Sequence, residues 1–354
     1  MRIALGLVLL LAPAPPPQQK PGAAPRSVLG YYPSWVAHPN LREIRFDRFT
    51  HLAHAFLKSD RDGNLIEDKA IPSPELTRRA HETGVKVLLS LGGAGSAKAF
   101  RAVVASPEAL RRYVAGVAKA VGDAGYDGVD VDWEPTEREE DRKGLIALTG
   151  ALREQLPWNT MTAAAPGSDW YGRWWDVGAL TRNVDFLNVM SYDFHGPWSE
   201  HAGHNAALHA APDDEDGAVA NASAALTYWA DTRKWPRERL QMGIPCYGRG
   251  FAVKSWHQKA AGKATHESID AHDVRGLIED GWRRAWDAKV GVPTLLKEGV
   301  AELISYEDAE SAALKGAWAR EKGLRGIFFW NIEQDWADGD HEIVKSAAAA
   351  FLGR

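Results

Sequence analysis

Asp127-Gly128-Val129-Asp130-Val131-Asp132-Trp133-Glu134 alternates apolar and acidic residues in a β-rich setting, which reads as a strand. Successive side chains on a strand face opposite ways. Asp130, Asp132 and Glu134 therefore share one face, about 7 Å from one to the next. Val129, Val131 and Trp133 take the other face, which suits packing beneath helices. Buried parallel strands are normally apolar, and gathering mutually repelling carboxylates out of water is costly. A cost of that kind marks a working site. The acidic run Asp213-Asp214-Glu215-Asp216 is read the other way, as a solvated loop that does no chemistry.

Working outward, strands are expected near Val28–Tyr32, His51–Phe56, Lys86–Leu91, Gly128–Glu134, Thr160–Ala165, Phe186–Tyr192, Leu240–Pro245 and Gly326–Trp330. Helical patterns fall between them at Ser73–Thr83, Pro107–Ala124, Arg138–Leu156, Ala218–Ala230 and Ser305–Lys322. Ser106-Pro107 sets a cap before proline at a first helical position, and Gly84, Gly125 and Gly323 stand where helices should end. This alternation predicts a (β/α)8 TIM barrel, α/β in class, with chemistry at the C-terminal ends of its strands. The first strand ends in Gly30-Tyr31-Tyr32-Pro33, not in the glycine fingerprint of a dinucleotide fold. Residues 247–305 are too many for a plain connection. They are expected to form a small α+β insertion between strands seven and eight, with Val274–Asp287 as a candidate helix.

The chain of 354 residues carries a net charge of −5, giving no basic footprint for nucleic acid. Met1-Arg2 followed by the apolar Ile3–Ala12 resembles a signal peptide. The run is too short to span a bilayer, so export without stable membrane insertion is expected. Pro, Gln and Ala dominate up to residue 26 and read as a flexible tether, leaving 27–354 as the folded unit, expected as a monomer. The lone cysteine, Cys246, follows an apolar run and is expected to be a buried thiol. Fifteen tryptophans imply a large core. Those in loops, such as Trp35 and Trp170, also suit the flat faces of sugars.

The acidic file has a chemistry of its own. Close like charges raise one another's proton affinity, so the cluster can hold a shared proton near neutral pH. Protonated Glu134 can then serve as a general acid toward a leaving oxygen. A metal site is the competing reading, but no histidine shares the spacing, and neither metal nor organic cofactor is expected. The file is too linear to straddle a glycosidic bond, and no second carboxylate is evident as a nucleophile.

The whole octapeptide resembles the signature of glycoside hydrolase family 18, the chitinases and their relatives. Ser90-Leu91-Gly92-Gly93, Met190-Ser191-Tyr192-Asp193, Met242-Gly243-Ile244-Pro245-Cys246-Tyr247-Gly248-Arg249 and Phe329-Trp330 extend the resemblance, in order, at further strand ends. It covers roughly residues 27–350. It implies a secreted glycosidase acting on chitin or another N-acetylglucosamine-containing glycan by substrate assistance, this family being an exception to the two-carboxylate scheme. By resemblance, Glu134 protonates the glycosidic oxygen, Asp132 orients the 2-acetamido group, Asp130 shares the proton and tunes Asp132, and Tyr192 binds the acetamido oxygen. Asp193 and Arg249 would hold the sugar and Trp330 would floor the reacting ring. Trp133 and Met190 enter as candidate substrate contacts through their motifs. Tyr31, Phe56 and Tyr247, at strand ends, suit either the site or the core. Gly92 and Gly93 read as backbone devices for a tight strand exit. An endo-β-N-acetylglucosaminidase, a peptidoglycan-directed enzyme and a glycan-binding lectin remain open on the same motifs.

Overall fold

A computed structural model describes residues 25–260 and 263–354. The expected leader and most of the tether, residues 1–24, lie outside the described residues. Arg26, at the tether's end, donates to the Phe351 carbonyl at 2.9 Å.

Seven parallel strands come first: β1 (Ser27–Pro33), β2 (His51–Leu57), β3 (Lys86–Gly93), β4 (Gly128–Trp133), β5 (Thr160–Pro166), β6 (Phe186–Met190) and β7 (Leu240–Pro245). Five insertion strands follow: β8 (Tyr247–Phe251), β9 (Ala264–Asp270), β10 (Arg283–Asp287), β11 (Val292–Leu296) and β12 (Leu303–Ser305). β13 (Gly326–Trp330) then pairs with both β7 and β1 and closes an eight-stranded barrel. The insertion strands form an antiparallel sheet in the order β10-β11-β12-β8-β9. The predicted barrel and its α+β insertion are both present.

Local chemistry explains where the helices begin. Ser73 and Ser106 accept from the amides of Leu76 and Ala109, each followed by a proline at the first helical position. Gly125 closes the helix Pro107–Ala124 in the left-handed conformation, φ 73°, and Asp308 with Ser311 makes a capping box for Ala309–Glu321. That box starts the helix later than the expected Ser305, because Leu303–Ser305 belongs to the insertion sheet. The candidate helix at Val274–Asp287 divides into a helix, Ala271–Glu279, and strand β10. The segment expected as Ala218–Ala230 is helical only over Ala222–Thr227 before a π turn at Tyr228–Thr232. Helices at Ala97–Ala105, Val177–Asn183 and Glu342–Leu352 were not anticipated.

The barrel wall separates two apolar layers. Val129, Val131 and Trp133 face outward into the large core beneath the helices, while Tyr31, Leu88 and Phe328 pack inside. Trp133 therefore does not meet substrate, contrary to its place among the candidate contacts. It is 2% exposed, its ring lies 5.1 Å from that of Phe100, and Gly144 brings the helix Glu139–Gln155 so near that a Cβ there would lie 2.8 Å from the indole. Strand alternation gives this direction, and burying such a ring contributes about 1.5–3 kcal/mol. Cys246 is fully buried, and burial pushes its thiol well up.

Candidate active site

Asp130 sits fully buried within the barrel, where all its hydrogen-bond partners are neutral. Its Oδ2 accepts from the hydroxyls of Tyr31 at 2.9 Å and Ser90 at 2.7 Å. Its Oδ1 accepts from Thr162 Oγ1 at 2.6 Å and Asn188 Nδ2 at 3.1 Å. The register explains the convergence: Ser90 and Thr162 are the direct partners of Asp130 on the neighbouring strands. Burial pushes Asp130 up, and the four donors pull it back toward the ionised form. With both oxygens engaged, Asp130 acts on Asp132 through its field. The hydrogen bonds do not show the proton sharing expected between Asp130 and Asp132.

Asp132 instead feels the charge of Glu134 most strongly after burial. Burial pushes Asp132 well above the ordinary carboxylate range, and the charges of Glu134 and Asp130 add to the rise. Burial likewise raises Glu134. Two such carboxyls titrate as a pair and retain one proton where free carboxylates have lost theirs. Asp132 Oδ1 is buried without a hydrogen-bond partner, so it keeps an accepting lone pair that the chain leaves unused.

Glu134 lies just past the end of β4, largely buried, where the barrel opens. Ser96 fixes it there. The Ser96 hydroxyl donates to Asp132 O at 3.0 Å and accepts from Glu134 N at 3.1 Å, while Ala97 N donates to Glu134 O at 3.1 Å. The sharp exit of β3 that delivers Ser96 needs glycine. Gly92 and Gly93 have φ of 106° and 85°, and a Cβ on Gly92 would lie 2.3 Å from Asp132 O.

Tyr192 follows β6, its ring edge-on to Tyr247 at 6.2 Å and to Phe328 at 6.1 Å. Burial raises its phenol, and the carboxylates of Glu134, Asp193, Asp132 and Asp130 raise it further, so it remains a proton-bearing donor. Asp193, at φ 60°, is engaged elsewhere. Its Oδ1 accepts from Tyr247 Oη at 2.6 Å and from Arg249 Nε and Nη2 at 2.9 and 2.6 Å. Arg249 also donates to the carbonyl of Glu267 and lies 4.8 Å over the ring of Trp198.

Trp330 ends β13, with Tyr31 edge-on to it at 5.4 Å and Phe56 stacked at 5.5 Å. Phe56 in turn stacks on Trp35 at 6.0 Å, and Trp35 is 59% exposed. An aromatic line thus leads from Tyr31, which donates to Asp130, out toward solvent. Met190 packs with Tyr192, Phe56 and Trp330 around the inner cluster. Of the twelve predicted site residues, all but Trp133 gather at this mouth or in the polar layer beneath it.

Thr162, Asn188, Ser96 and Trp198 were missed. Thr162 and Asn188 left a signal in the sequence, as polar residues on the inward alternation of otherwise apolar strands. In the acidic run at 213–216, Asp213, Glu215 and Asp216 are exposed as expected, and Asp214 is the exception. Asp214 turns inward, its side chain 3% exposed, among histidines.

A sequence model described as Glycosyl hydrolases family 18 matches residues 27–335. Among curated proteins, the chain is 25% identical to a "chitinase-like effector" of Moniliophthora roreri, over 90% of this chain and 92% of that one. It is 26% identical to Chitinase A1 of Niallia circulans, over 94% of this chain and 60% of that one. A probable endochitinase of Caenorhabditis elegans is 29% identical, over 72% of this chain and 44% of its own length. The chain thus spans less than two thirds of the latter two. Among solved structures, the Group IV chitinase of Ostrinia furnacalis matches with a TM-score of 0.83 at 24% identity, over 92% of this chain and 100% of that one. A Class V chitinase of Nicotiana tobaccum gives 0.82 at 24% identity, over 92% of this chain and 99% of that one. These two likenesses concern the fold.

Proposed function

The chain belongs to glycosyl hydrolases family 18, and on that premise we propose that it cleaves β-1,4-linked N-acetylglucosamine chains, chitin or its oligomers, by substrate assistance. The observation that carries this reading is the disposition of carboxylates. Asp132 and Glu134 form a raised pair at the mouth, whereas Asp193 is tied to Tyr247 and Arg249. Glu134 gives its proton to the glycosidic oxygen as the bond to the anomeric carbon breaks. The carbonyl oxygen of the sugar's own 2-acetamido group attacks that carbon, and Asp132 accepts the acetamido N–H and steadies the positive charge that develops. Tyr192 donates to the acetamido oxygen as a preorganised dipole. Water then opens the cyclic intermediate, with Glu134 taking back a proton.

The line of Trp330, Phe56 and Trp35 offers flat surfaces to successive sugar rings. The leader read at Ile3–Ala12 supports export of the chain, and no helix among the described residues is long and apolar enough to cross a membrane.

Glu134→Gln tests the assignment with a chromogenic chitobiose. Loss of the general acid is expected to cost about 10²–10⁴-fold in turnover, about 3–5 kcal/mol, with oligosaccharide binding and the folded spectrum retained. Turnover near the wild-type rate would overturn it.

A further inference from the structure

Away from the acidic pair, the loop that follows β6 gathers a second group of titratable side chains. His195, His201, Asp214 and Asp216 each bring one ligand-type atom into a space where all four lie within 4.8 Å of one another. His195 Nε2 is 3.2 Å from His201 Nε2. His201 Nε2 is 2.7 Å from Asp214 Oδ1, and His195 Nε2 is 3.5 Å from Asp214 Oδ2. His257, from the segment after β8, places Nδ1 at 3.5 Å from Asp214 Oδ2.

Hydrogen bonding within the chain leaves this cluster short of protons. His195 Nδ1 lies 3.1 Å from the His204 carbonyl. A carbonyl only accepts, so the ring's proton is on Nδ1 and the Nε2 lone pair points at the cluster centre. His201 Nε2 has at most one proton and faces both His195 Nε2 and Asp214 Oδ1. His257 Nδ1 is buried with no hydrogen-bond partner. The Asp216 amide donates to Asp214 Oδ1 at 3.0 Å, yet more lone pairs converge here than the protein's own donors satisfy.

A cation would satisfy them. Nitrogens bound to tetrahedral zinc at about 2.0–2.1 Å lie roughly 3.3–3.4 Å from each other, close to the 3.2 Å between the two Nε2 atoms. A backbone carbonyl holding the distal imidazole nitrogen is the usual outer-shell partner of a metal-bound histidine. Two neutral imidazoles and two carboxylates balance a dication. Imidazole donors favour zinc or another late first-row ion over calcium or magnesium, which prefer oxygen.

We propose that His195, His201 and Asp214, completed by Asp216 or His257, form a structural site for one divalent transition-metal ion, zinc by its donor set. The site joins the loop after β6 to the insertion, where Ala202 N donates to Gln258 O and His257 N to Ala202 O, each at 2.8 Å. The same loop carries Asp193 and Trp198, which meet Arg249 at the mouth. The ion fixes that wall and takes no part in the reaction.

The test uses the full chain without an affinity tag, stripped with a chelator and titrated with zinc chloride against a chromophoric competitor. One ion per chain is expected, with cobalt(II) in its place giving the intense visible bands of a tetrahedral site. The pair His201→Gln and Asp214→Asn is expected to lower affinity roughly 100-fold or more. Because the pair replaces buried groups, anomalous scattering at the zinc edge from wild-type crystals provides a readout independent of its folding. A peak between His195 Nε2 and His201 Nε2 is expected. Absence of stoichiometric binding, or a peak elsewhere only, would overturn the proposal.

Discussion

Removing one donor from Asp130 tests whether that carboxylate is a charge held in place by its neighbours. Thr162→Val is the cleanest change, because valine keeps the shape and suits a strand. It removes the 2.6 Å hydroxyl contact to Asp130 Oδ1 and leaves Tyr31, Ser90 and Asn188 in place. A hydrogen bond to a charged group contributes about 1.5–3 kcal/mol. The added methyl group returns about 0.8 kcal/mol, so a net loss of roughly 1–2 kcal/mol is expected at pH 8. The sign of its pH dependence follows from the upward displacement of Asp130 in the fold. Such a carboxyl contributes stability in its protonated form, and that contribution falls as pH rises through the folded value. Losing a donor raises the folded value further, so the penalty of the substitution grows with pH. Below about pH 4, where an unfolded aspartate is also protonated, only a neutral hydrogen bond is lost and the methyl nearly offsets it. Urea unfolding of both proteins at pH 4 and pH 8 measures this directly. A penalty equal at the two pH values would refute the charged role given to Asp130.

Three further outcomes follow from the same structure. Tyr192→Phe keeps the ring contacts with Tyr247 and Phe328 and should lower kcat by about 10²–10³-fold, as for other preorganised donors, with little change in urea midpoint. Steady-state kinetics beside an unfolding curve check both halves. Lys315→Met leaves Glu307 buried without its ion-pair partner and is expected to cost about 3–5 kcal/mol in unfolding free energy at neutral pH; protonation of Glu307 should shrink that loss in acid. The basic limb of kcat/KM should lie above the ordinary carboxylate range, since activity needs the proton that the raised Asp132–Glu134 pair retains. A pH–rate profile falling away near pH 4 to 5 would contradict that.

Much of this was legible because strands impose a period of two. Alternation alone turned Asp130, Asp132 and Glu134 inward and Val129 and Val131 outward, and the barrel followed from the recurring strand and helix patterns. Trp133 shows what happens when a motif is trusted over that period: its membership in the signature suggested substrate, while its parity pointed to the helices. The donors around Asp130 were harder to see because Ser90, Thr162 and Asn188 meet only through strand register across four strands. Asp214 was misread for a similar reason. Its neighbours in sequence are acidic and exposed, whereas its neighbours in space are histidines distant along the chain. The insertion's helix ends before the expected Asp287 because Gly281, φ 90°, turns the chain out of Ala271–Glu279 and into strand β10.

The stereochemistry of the first product tests the proposed reaction most directly. With a soluble chitin oligomer and early time points by proton NMR, attack by the substrate's acetamido oxygen followed by water predicts that the new reducing end first appears as the β-anomer. A first-formed α-anomer, or equal turnover of an analogue lacking the 2-acetamido group, would contradict substrate assistance.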